Sequence, residues 1–437
     1  MVTLCEVIII GGGLAGAEAA WQVAKQGVRV ILCEMRPKRL TPAHQTGWLA
    51  ELVCSNSLKS AALDNAAGLL KEEMRRLDSL IIRCADTCRV PAGQALAVDR
   101  HLFAQMVTHE LEKHLLVTII REEVTAIPAA GVVIVASGPL TSTGLSDAIA
   151  RLTGAEHLYF YDAVAPLVLR DTIDFNFAFY GSRYSQTDKD YINCPLTAEE
   201  YEAFYQALVQ AEVHPLKEFE GEIYFEGCLP IEVLAKRGRE TLRFGPMKPV
   251  GLIDPRTGQQ PYAVVQLRQD NQQGTLYNLV GFQTNLKWGE QDRVFRLIPA
   301  LRQASFERYG VMHRNTFIAS PAVLAPTLQM RAEPRILFAG QITGVEGYVE
   351  SAASGLVAGL NAGRIVRGLS PLIFPPETVI GALCHHITNA NLSTFQPINA
   401  TFGVLPPLPQ RTRSKRERHR LLAERSLMVL RNMVILE

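Results

Sequence analysis

A glycine-rich turn near the start of the chain limits the possible folds more than any other feature. Residues 5–10 form a short β-branched run that is typical of a buried parallel strand, and a helical pattern follows the turn. Between them, Gly11, Gly13 and Gly16 have the spacing G-x-G-x-x-G. A strand, turn and helix in this order bind the pyrophosphate of a dinucleotide on the amides of the helix N-terminus. The sequence therefore predicts a dinucleotide-binding α/β domain.

The glycines of this turn have separate physical tasks. Gly11 permits the tight turn, Gly13 lets a phosphate approach the backbone, and Gly16 lets the helix pack closely on the strand. A second predicted strand, 28–33, ends at Glu34, whose carboxylate can accept the ribose hydroxyls. The predicted cofactor contacts in this part of the chain are Gly11, Gly12, Gly13, Leu14, Ala15, Gly16 and Glu34.

Two later segments favour FAD over NAD as the bound dinucleotide. Residues 131–138 and 335–341 are predicted strands that end in small residues, at Gly138 and Gly340. A long Gly/Ala-rich helix is predicted to follow directly, with its first amides facing the electron-rich edge of a flavin. Gly138, Gly340 and Gln341 are therefore added to the predicted cofactor contacts, although flavoproteins of this kind usually have Asp where this chain has Gln341.

The middle of the chain differs in composition from the first part, because aromatic and polar segments replace the glycine turns. Residues 197–212 begin with Thr197 and Glu200 at capping-box spacing and predict an amphipathic helix. Residues 262–268 and 275–283 alternate and predict a hairpin. We predict a Rossmann-like, glutathione-reductase-like α/β fold with an inserted α+β domain. Its predicted parts are a discontinuous FAD-binding domain (1–155 and 320–405), an inserted substrate, folate and RNA domain (156–319), and a basic C-terminal tail with a final short helix (406–437).

Charge and cysteine usage exclude several classes of protein. The 44 Lys+Arg and 43 Asp+Glu leave a net charge of +1, so a polyanion must meet a local basic patch. The eight cysteines show no CxxC pair and no zinc spacing, and His385-His386 lacks a third ligand, so we expect no metal. No signal peptide or membrane span is evident, and we expect a reducing cytoplasm.

Two basic segments are candidates for contact with RNA. One is the run at 411–420; the other is 236–256, whose glycines and prolines argue against a single charged helix. An irregular basic loop can follow an RNA backbone with side-chain and main-chain donors. The predicted RNA contacts are Lys236, Arg237, Arg239, Arg243 and Lys248.

Several long motifs are more specific than any of these patterns. They include AELVCSNSLKS (50–60), YFEGCLPIEVLAKRG (224–238), LRFGPMKPVGLIDPRTG (242–258), YGVMHRNTFI (309–318) and AGQITGVEGYVESAASGL (339–356). Together they resemble the folate- and FAD-dependent tRNA uracil-5-methyltransferases. The resemblance implies that 5,10-methylenetetrahydrofolate donates a one-carbon unit, that NAD(P)H reduces the flavin, and that a T-loop uridine of tRNA becomes 5-methyluridine. We expect tRNA and tetrahydrofolate as partners, and neither DNA nor a membrane.

The chemistry of that family requires a nucleophile and a base. Uracil C5 is a poor nucleophile until a group adds at C6, and a thiolate adds and departs readily. The C5 proton must then pass to a base. The resemblance points to Cys54 and Cys228; we predict Cys54 as the nucleophile and Cys228 as the proton acceptor, with the opposite order left open. For the folate, the resemblance implies Trp288, His313, Arg314 and Asn315, although His313 is equally compatible with a structural role.

Two other functions fit parts of the sequence. Methylation of ribosomal RNA would use the same motifs, since nothing in them specifies the RNA. A flavin- and nicotinamide-dependent reductase would need a redox-active cysteine pair close in sequence, for which Cys84 and Cys88 are weak candidates.

Overall fold

A computed structural model describes residues 6–154, 158–183, 188–215, 229–409, 412 and 414–433. The strands are β1 (Glu6–Ile10), β2 (Arg29–Cys33), β3 (Ser57–Ser60), β4 (Arg89–Val90), β5 (Ala95–Val98), β6 (Val117–Ile120), β7 (Val132–Val135), β8 (Leu158–Ala163), β9 (Leu167–Leu169), β10 (Phe179–Gly181), β11 (Tyr191–Leu196), β12 (Ala263–Gln269), β13 (Leu276–Leu279), β14 (Phe306–Arg308), β15 (Met312–Phe317) and β16 (Ile336–Phe338). The helices are α1 (Leu14–Lys25), α2 (Ala66–Arg76), α3 (Leu80–Thr87), α4 (Arg100–Glu112), α5 (Thr143–Thr153), α6 (Ala198–Gln210), α7 (Ile231–Lys236), α8 (Thr241–Phe244), α9 (Trp288–Phe295), α10 (Ser320–Val323), α11 (Tyr348–Val366), α12 (Val379–Asn389) and α13 (Lys415–Arg431).

A five-stranded parallel sheet forms the centre of the first domain. Its strand order is β16-β7-β1-β2-β6, and every pair is parallel. β7 is buried along its whole length, as expected for an apolar β-branched strand covered on both faces. Helices α1 and α11 pack against this sheet. The arrangement is the Rossmann-like α/β fold that the sequence predicts.

The turn after β1 requires two of its glycines for steric reasons. Gly11 has a φ of 103°, and a Cβ at this position would lie 2.5 Å from the carbonyl oxygen of Ala136. A Cβ on Gly16 would lie 1.8 Å from the carbonyl oxygen of Gly11. The turn therefore brings the N-terminus of α1 close to the carboxyl ends of β1 and β7, as the motif predicts.

The inserted segment builds its own sheet and core. Its six strands have the order β10-β11-β12-β13-β9-β14 and pair antiparallel. α6 begins with the predicted capping box of Thr197 and Glu200, and β12 and β13 form the predicted hairpin. Strand β8 comes before the strands of this sheet in the sequence and β15 comes after them, and the two pair with each other. The α+β character of the insert is confirmed, while its boundaries at 156 and 319 stay a prediction.

The late Gly/Ala-rich helix starts further along the chain than the sequence predicts. The prediction began it directly after Gln341, but α11 begins at Tyr348. Gly344 and Gly347 have φ values of 87° and 113°, which interrupt a right-handed helix. The intervening residues form a 3₁₀ turn (Gln341–Thr343) followed by a loop, so the helix N-terminus lies at Tyr348.

The basic C-terminal run also begins a longer helix than predicted. α13 spans 17 residues and is capped by the Ser414 hydroxyl. Its Leu422 is buried in the same core as α2, and its Ser426 hydroxyl donates to the buried carboxylate of Glu73. The helix is therefore anchored on the first domain. None of the helices in the described part of the chain is long and apolar enough to cross a membrane.

Helices α1 and α11 approach each other through glycine. A Cβ on Gly355 would lie 2.2 Å from the carbonyl oxygen of Ala15 and 2.7 Å from its Cα. These are backbone atoms, so a side chain at Gly355 could be accommodated only if the two helices moved apart.

We expect Gly355→Ala to lower the free energy of unfolding by about 1–3 kcal/mol, because it overpacks this contact. The matched control is Gly289→Ala in α9, where a Cβ would meet nothing within 4 Å. That control should leave stability unchanged or raise it by about 0.4–1 kcal/mol. Urea unfolding of both variants measures the difference; equal stability would contradict the close helix contact.

Candidate active site

A cleft of about 340 Å³ lies at the carboxyl ends of β1, β2, β7 and β16, where the insert meets the parallel sheet. Open α/β sheets bind their ligands at this edge. The predicted site residues that line it are Gly11, Gly13, Leu14, Ala15, Glu34, Cys54, Gly138, Asn315, Gly340 and Gln341. Gly16 serves the packing of the turn instead, and Gly12 donates its N–H to Glu34 at 2.9 Å.

The N-terminus of α1 offers backbone donors to an anion in this cleft. The N-cap is Gly13, which has no side-chain cap, and the first turn contains no acidic residue. A Cβ on Gly13 would meet nothing within 4 Å, so the backbone is open at this point. The helix dipole adds positive potential there. The geometry fits a pyrophosphate.

Glu34 is held at the end of β2 by a buried ion pair. Arg36 Nε lies 3.0 Å from its carboxylate, and Arg36 is also paired with Glu51 at 3.2 Å. Burial raises the pKa of Glu34, but the hydrogen bonds and charge of Arg36 outweigh burial and leave the pKa below its usual value. Glu34 is therefore an ionised acceptor at the cleft wall, which suits the predicted contact with ribose hydroxyls.

Residues 340–348 form another wall of the cleft. Gly340 has a φ of 84° and donates its N–H to the Ser354 hydroxyl at 2.7 Å. The side-chain amide of Gln341 donates to the carboxylate of Glu346. A carboxylate therefore lies beside Gln341, although the residue itself is neutral where Asp is usual.

Cys54 lies half-buried on the cleft wall and is positioned by Tyr348. The Tyr348 hydroxyl accepts hydrogen bonds from the backbone N–H of Cys54 at 2.7 Å and of Ser55 at 3.1 Å. Burial, together with negative charge at Cys54, raises the pKa of Tyr348, so the phenol stays neutral. The contact fixes the backbone on which the thiol is carried. Sequence reasoning missed Tyr348 because it placed this residue inside the helix rather than at its start.

The residues after Cys54 tie the cleft to the insert. Asn56 is fully buried and donates to the carbonyl oxygens of Val98 and Gln269, both at 2.9 Å. Arg268 on β12 donates to the Asn56 amide oxygen at 3.0 Å and to the Ser55 hydroxyl at 2.9 Å. Hydrogen bonds from both domains thus hold the motif Cys54-Ser55-Asn56, and its polar residues Ser55 and Asn56 bind the insert.

A lysine near the same wall was also missed by sequence reasoning. Lys59 has a left-handed φ of 64°, and its ammonium group is 2.9 Å from the buried Glu350 carboxylate. It also donates to the side-chain oxygen of Asn399. The second carboxylate oxygen of Glu350 has no hydrogen-bond partner in the described ranges of the chain. The unusual positive φ of Lys59 marks this residue in the structure, but the sequence does not reveal that backbone conformation.

The predicted folate residues separate into three groups. Asn315 is 1% exposed and lines the cleft, and within the described part of the chain neither its amide nitrogen nor its oxygen has a hydrogen-bond partner. An unsatisfied buried amide is costly unless a ligand completes its bonds. Trp288 is 59% exposed, stacks on Tyr309 with centroids 6.3 Å apart, and does not line the cleft. His313 and Arg314 lie on β15, and their side chains fall outside the described residues, as does Cys228.

The predicted RNA contacts lie on short helices and turns of the insert. Lys236 ends α7 and is exposed, with Arg237 as the C-cap, and the carbonyl of Lys248 accepts from Arg183. Arg239 and Arg243 contact other side chains of the insert. Arg239 is paired with Glu202 at 2.6 Å, and the Arg243 guanidinium lies 3.7 Å over the Tyr262 ring.

Phe244 stands next to these cations and was not predicted as a contact. It is 81% exposed at the end of α8. An exposed aromatic ring among basic residues is suited to stack on an unpaired base. Only its neighbourhood in the sequence, between Arg243 and Lys248, could have pointed to it.

The cysteine pair required by the reductase alternative is buried. Cys84 and Cys88 are 1% and 2% exposed. Burial raises the pKa of Cys84 to about 12 and that of Cys88 to about 11. A redox-active pair needs accessible thiols of low pKa, so these two are structural.

The parallel sheet, the glycine turn and the cleft define the class of dinucleotide-binding α/β proteins. Residues 6–370 match the family model described as glucose inhibited division protein A. A solved structure of Aquifex aeolicus GidA has the same fold, with a TM-score of 0.70 at 17% identity over 99% of this chain and 76% of that chain.

Curated relatives match nearly the whole chain at much higher identity. The methylenetetrahydrofolate--tRNA-(uracil-5-)-methyltransferase TrmFO of Heliobacterium modesticaldum is 64% identical over 96% of both chains. The enzyme of the same name from Moorella thermoacetica is 63% identical over 97% of both. The chain belongs to the methylenetetrahydrofolate--tRNA-(uracil-5-)-methyltransferase family, which confirms the resemblance found in its motifs.

The unsatisfied amide of Asn315 generates a stability prediction. We expect Asn315→Leu to raise the free energy of unfolding of the ligand-free protein by about 1–3 kcal/mol, because it removes a buried polar group that has no partner. The matched control is Asn361→Leu. That buried amide makes hydrogen bonds with Thr327 and Leu372 at 2.7–3.0 Å, so its loss should destabilise the protein. Urea unfolding compares the two; destabilisation by Asn315→Leu would show that the amide is satisfied.

Proposed function

We propose that this protein methylates C5 of a T-loop uridine in tRNA, with 5,10-methylenetetrahydrofolate as the carbon donor, FAD as the cofactor and NAD(P)H as the reductant. The observation that carries the proposal is that Cys54 and Asn315, whose amide has no partner among the described residues, line the same dinucleotide cleft. The reaction requires a thiol that can act on the uracil and a polar group that can bind the folate, both at the edge of a flavin site. The names of the full-length relatives support the same activity.

The residues of the cleft fit FAD. The amides at the N-terminus of α1 would hold the pyrophosphate, and Glu34 would accept the ribose hydroxyls. The wall from Gly340 to Tyr348 would receive the ring system, since it carries the N-terminus of α11. Bound FAD, once reduced by NAD(P)H, supplies the hydride that turns the transferred carbon unit into a methyl group.

The protein's part in the reaction is to activate the uracil and to move one proton. One thiolate adds at C6 and makes C5 nucleophilic toward the folate methylene. A second group then takes the C5 proton, and tetrahydrofolate leaves with the electron pair of its C–N bond, which gives an exocyclic methylene on the uracil. The first thiolate departs from C6 once a hydride has been added to that methylene. We propose that Cys54 and Cys228 share these two tasks. Tyr348 holds the backbone of Cys54 from α11, which keeps the thiol at the cleft wall.

Asn315 is proposed to bind the folate. Its amide offers one acceptor and two donors in a buried position, which suits the hydrogen-bonding edge of a pterin. His313 and Arg314 are proposed as neighbours in this role, because they lie on the same strand β15. Trp288 is not part of this proposal, since it is exposed away from the cleft. In the stabilised variant Asn315→Leu we therefore expect the KM for methylenetetrahydrofolate to rise.

The tRNA is proposed to contact the basic surface of the insert, with Lys236, Arg237, Arg239, Arg243 and Lys248 as its cations and Phe244 as a stacking platform. The alternative of ribosomal RNA has no independent support, and the relatives' names specify tRNA.

We also propose that the three parts of the chain act as predicted: 1–155 and 320–405 bind FAD, 156–319 binds the substrate, folate and RNA, and 406–437 is a basic tail. The reaction is proposed to take place in the cytoplasm, where reduced folate, NAD(P)H and free thiols are available.

Incubation with unmodified tRNA, methylene-labelled methylenetetrahydrofolate, FAD and NADPH tests the function. We expect labelled 5-methyluridine after digestion of the tRNA, and no label in ribosomal RNA treated in the same way. Cys54→Ala and Cys228→Ala should each lower methyl transfer by at least about 10³-fold while FAD stays bound. Full activity in both variants would overturn the two-thiol mechanism.

RNA containing 5-fluorouridine assigns the two thiols. Because the fluorine cannot leave as a proton does, the C6 adduct accumulates on the enzyme. The order predicted from sequence requires Cys228→Ala to form the adduct and Cys54→Ala to lose it. The reverse pattern would exchange the two roles, and adducts in both variants would place the nucleophile elsewhere.

The salt dependence of binding tests the RNA surface. We expect Lys236→Ala to weaken tRNA binding and to reduce the slope of log K against log salt by about 1, as for one lost phosphate contact. The control is Lys113→Ala, an exposed lysine at the C-cap of α4 in the first domain. An unchanged slope for Lys236→Ala would remove this residue from the interface.

A further inference from the structure

Three arginines from three different elements lie near Cys54. The buried Arg100 donates to the carbonyl oxygen of Leu52 at 3.2 Å, the buried Arg268 donates to the Ser55 hydroxyl at 2.9 Å, and the half-buried Arg308 lines a cavity beside Leu52. Arg100 begins α4, Arg268 lies on β12, and Arg308 ends β14. The charge of each is close enough to interact with that of Cys54. Arg100 and Arg268 are both 7% exposed. No local sequence motif links these residues, since only the fold brings them together.

The positive charge of this cluster exceeds the negative charge around it. Asp270 is paired with Arg100 at 2.6 Å and is 2% exposed. Arg268 donates to the neutral groups of Ser55 and Asn56. Among the described residues, the cluster thus contains three cations and one carboxylate.

Among the described residues, the other charged groups near Cys54 offset only part of this excess. Arg36 is shared by Glu34 and Glu51, which leaves one negative charge in that trio, and Lys59 is paired with Glu350. Glu307 precedes Arg308 on β14 but is exposed, where solvent screens its charge. The phenol of Tyr348 is uncharged. A net positive charge therefore remains around Cys54.

Arg308 is the least satisfied member of the cluster. Its Nε and one Nη atom are buried and have no hydrogen-bond partner among the residues that the structure describes. The side chain lines a second cavity of about 130 Å³, next to Glu51 and Leu52, just before Cys54 in the chain. Burial and the charge of Arg100 lower the pKa of Arg308 to about 10, which is still far above neutrality, so the guanidinium stays charged. A buried cation without a counter-ion is costly, and an anion nearby would offset that cost.

We propose that Arg100, Arg268 and Arg308 hold the Cys54 sulfur as a thiolate at neutral pH, with Arg308 as the positioning residue that supplies the unbalanced charge. The inference deepens the proposed function, since both the nucleophile and the base of that reaction must be deprotonated. It does not depend on which of these two tasks Cys54 performs. Cationic neighbours favour thiolates in the same way at other reactive cysteines.

Arg308 is the residue to replace because it has the fewest structural bonds to lose. Replacing Arg100 would strand Asp270, and replacing Arg268 would release Ser55 and Asn56. Arg308→Met removes the charge and keeps the length of the side chain, whereas Arg308→Lys keeps a charge. Arg302→Met, an exposed arginine over the Phe177 ring, is the matched control.

The test is the pH dependence of Cys54 alkylation by iodoacetamide in the FAD-bound protein. Cleavage after Arg39 and Lys59 releases a peptide, 40–59, in which Cys54 is the single cysteine, so mass spectrometry follows this site alone. We expect a wild-type midpoint at least one pH unit below that of a free cysteine, about 8.5. Arg308→Met should raise the midpoint by about one unit, which is a tenfold loss of thiolate at pH 7. Arg308→Lys should restore most of the shift, and Arg302→Met should change nothing.

A wild-type midpoint at or above about 8.5 would overturn the inference without any variant. An unchanged midpoint in a folded, FAD-bound Arg308→Met protein would overturn it as well. A low midpoint that rises in Arg308→Met would uphold it even in a protein that fails to methylate tRNA, and that second result would count against the proposed function alone.

Discussion

The position of Cys54 depends on the buried amide of Asn56, two residues further along the chain. This side chain donates to Val98 in the first domain and to Gln269 in the insert, and it accepts from Arg268. A buried amide with all these bonds made is a rigid joint, because breaking any of them leaves an unsatisfied group in a dry environment. The parallel sheet supplies a dinucleotide site. This joint, together with contacts such as the Arg100–Asp270 ion pair, holds the insert against the sheet and places a thiol at the junction.

The local parts of the fold could be predicted from the sequence because their causes are local. The turn at Gly11 and Gly16 follows from steric contact within one βαβ unit, and α6 starts where Thr197 and Glu200 cap each other. The start of α11 could not be predicted in the same way. A glycine permits a positive φ without requiring it, so the break at Gly347 is visible only once the chain is folded.

The candidate site divides along the same line. Glu34, Cys54 and Asn315 belong to motifs whose chemistry could be recognised, and the fold brings all three to one cleft. Tyr348 lies within the motif at 339–356, but that motif does not show its contact with Cys54, and Arg308 lies outside the quoted motifs. Both matter because α11 and β14 place them near Cys54. Trp288 shows the opposite case, since its place in a motif pointed to the cleft while its position on α9 leaves it in solvent. Contacts between distant segments are thus what a single sequence does not reveal.

The anchoring of α13 changes how the basic C-terminus should be regarded. Its Ser426 hydroxyl donates to Glu73, a buried carboxylate that also receives the first N–H groups of α12 from Val379 and Ile380 at 2.7 and 2.9 Å. Removing the helix would uncover that carboxylate and the apolar surface beneath Leu422. The C-terminal helix therefore stabilises the first domain and also presents a basic surface. A truncated protein would mix loss of charge with partial unfolding, whereas charge-reversed arginines on the exposed face of the helix would separate the two effects.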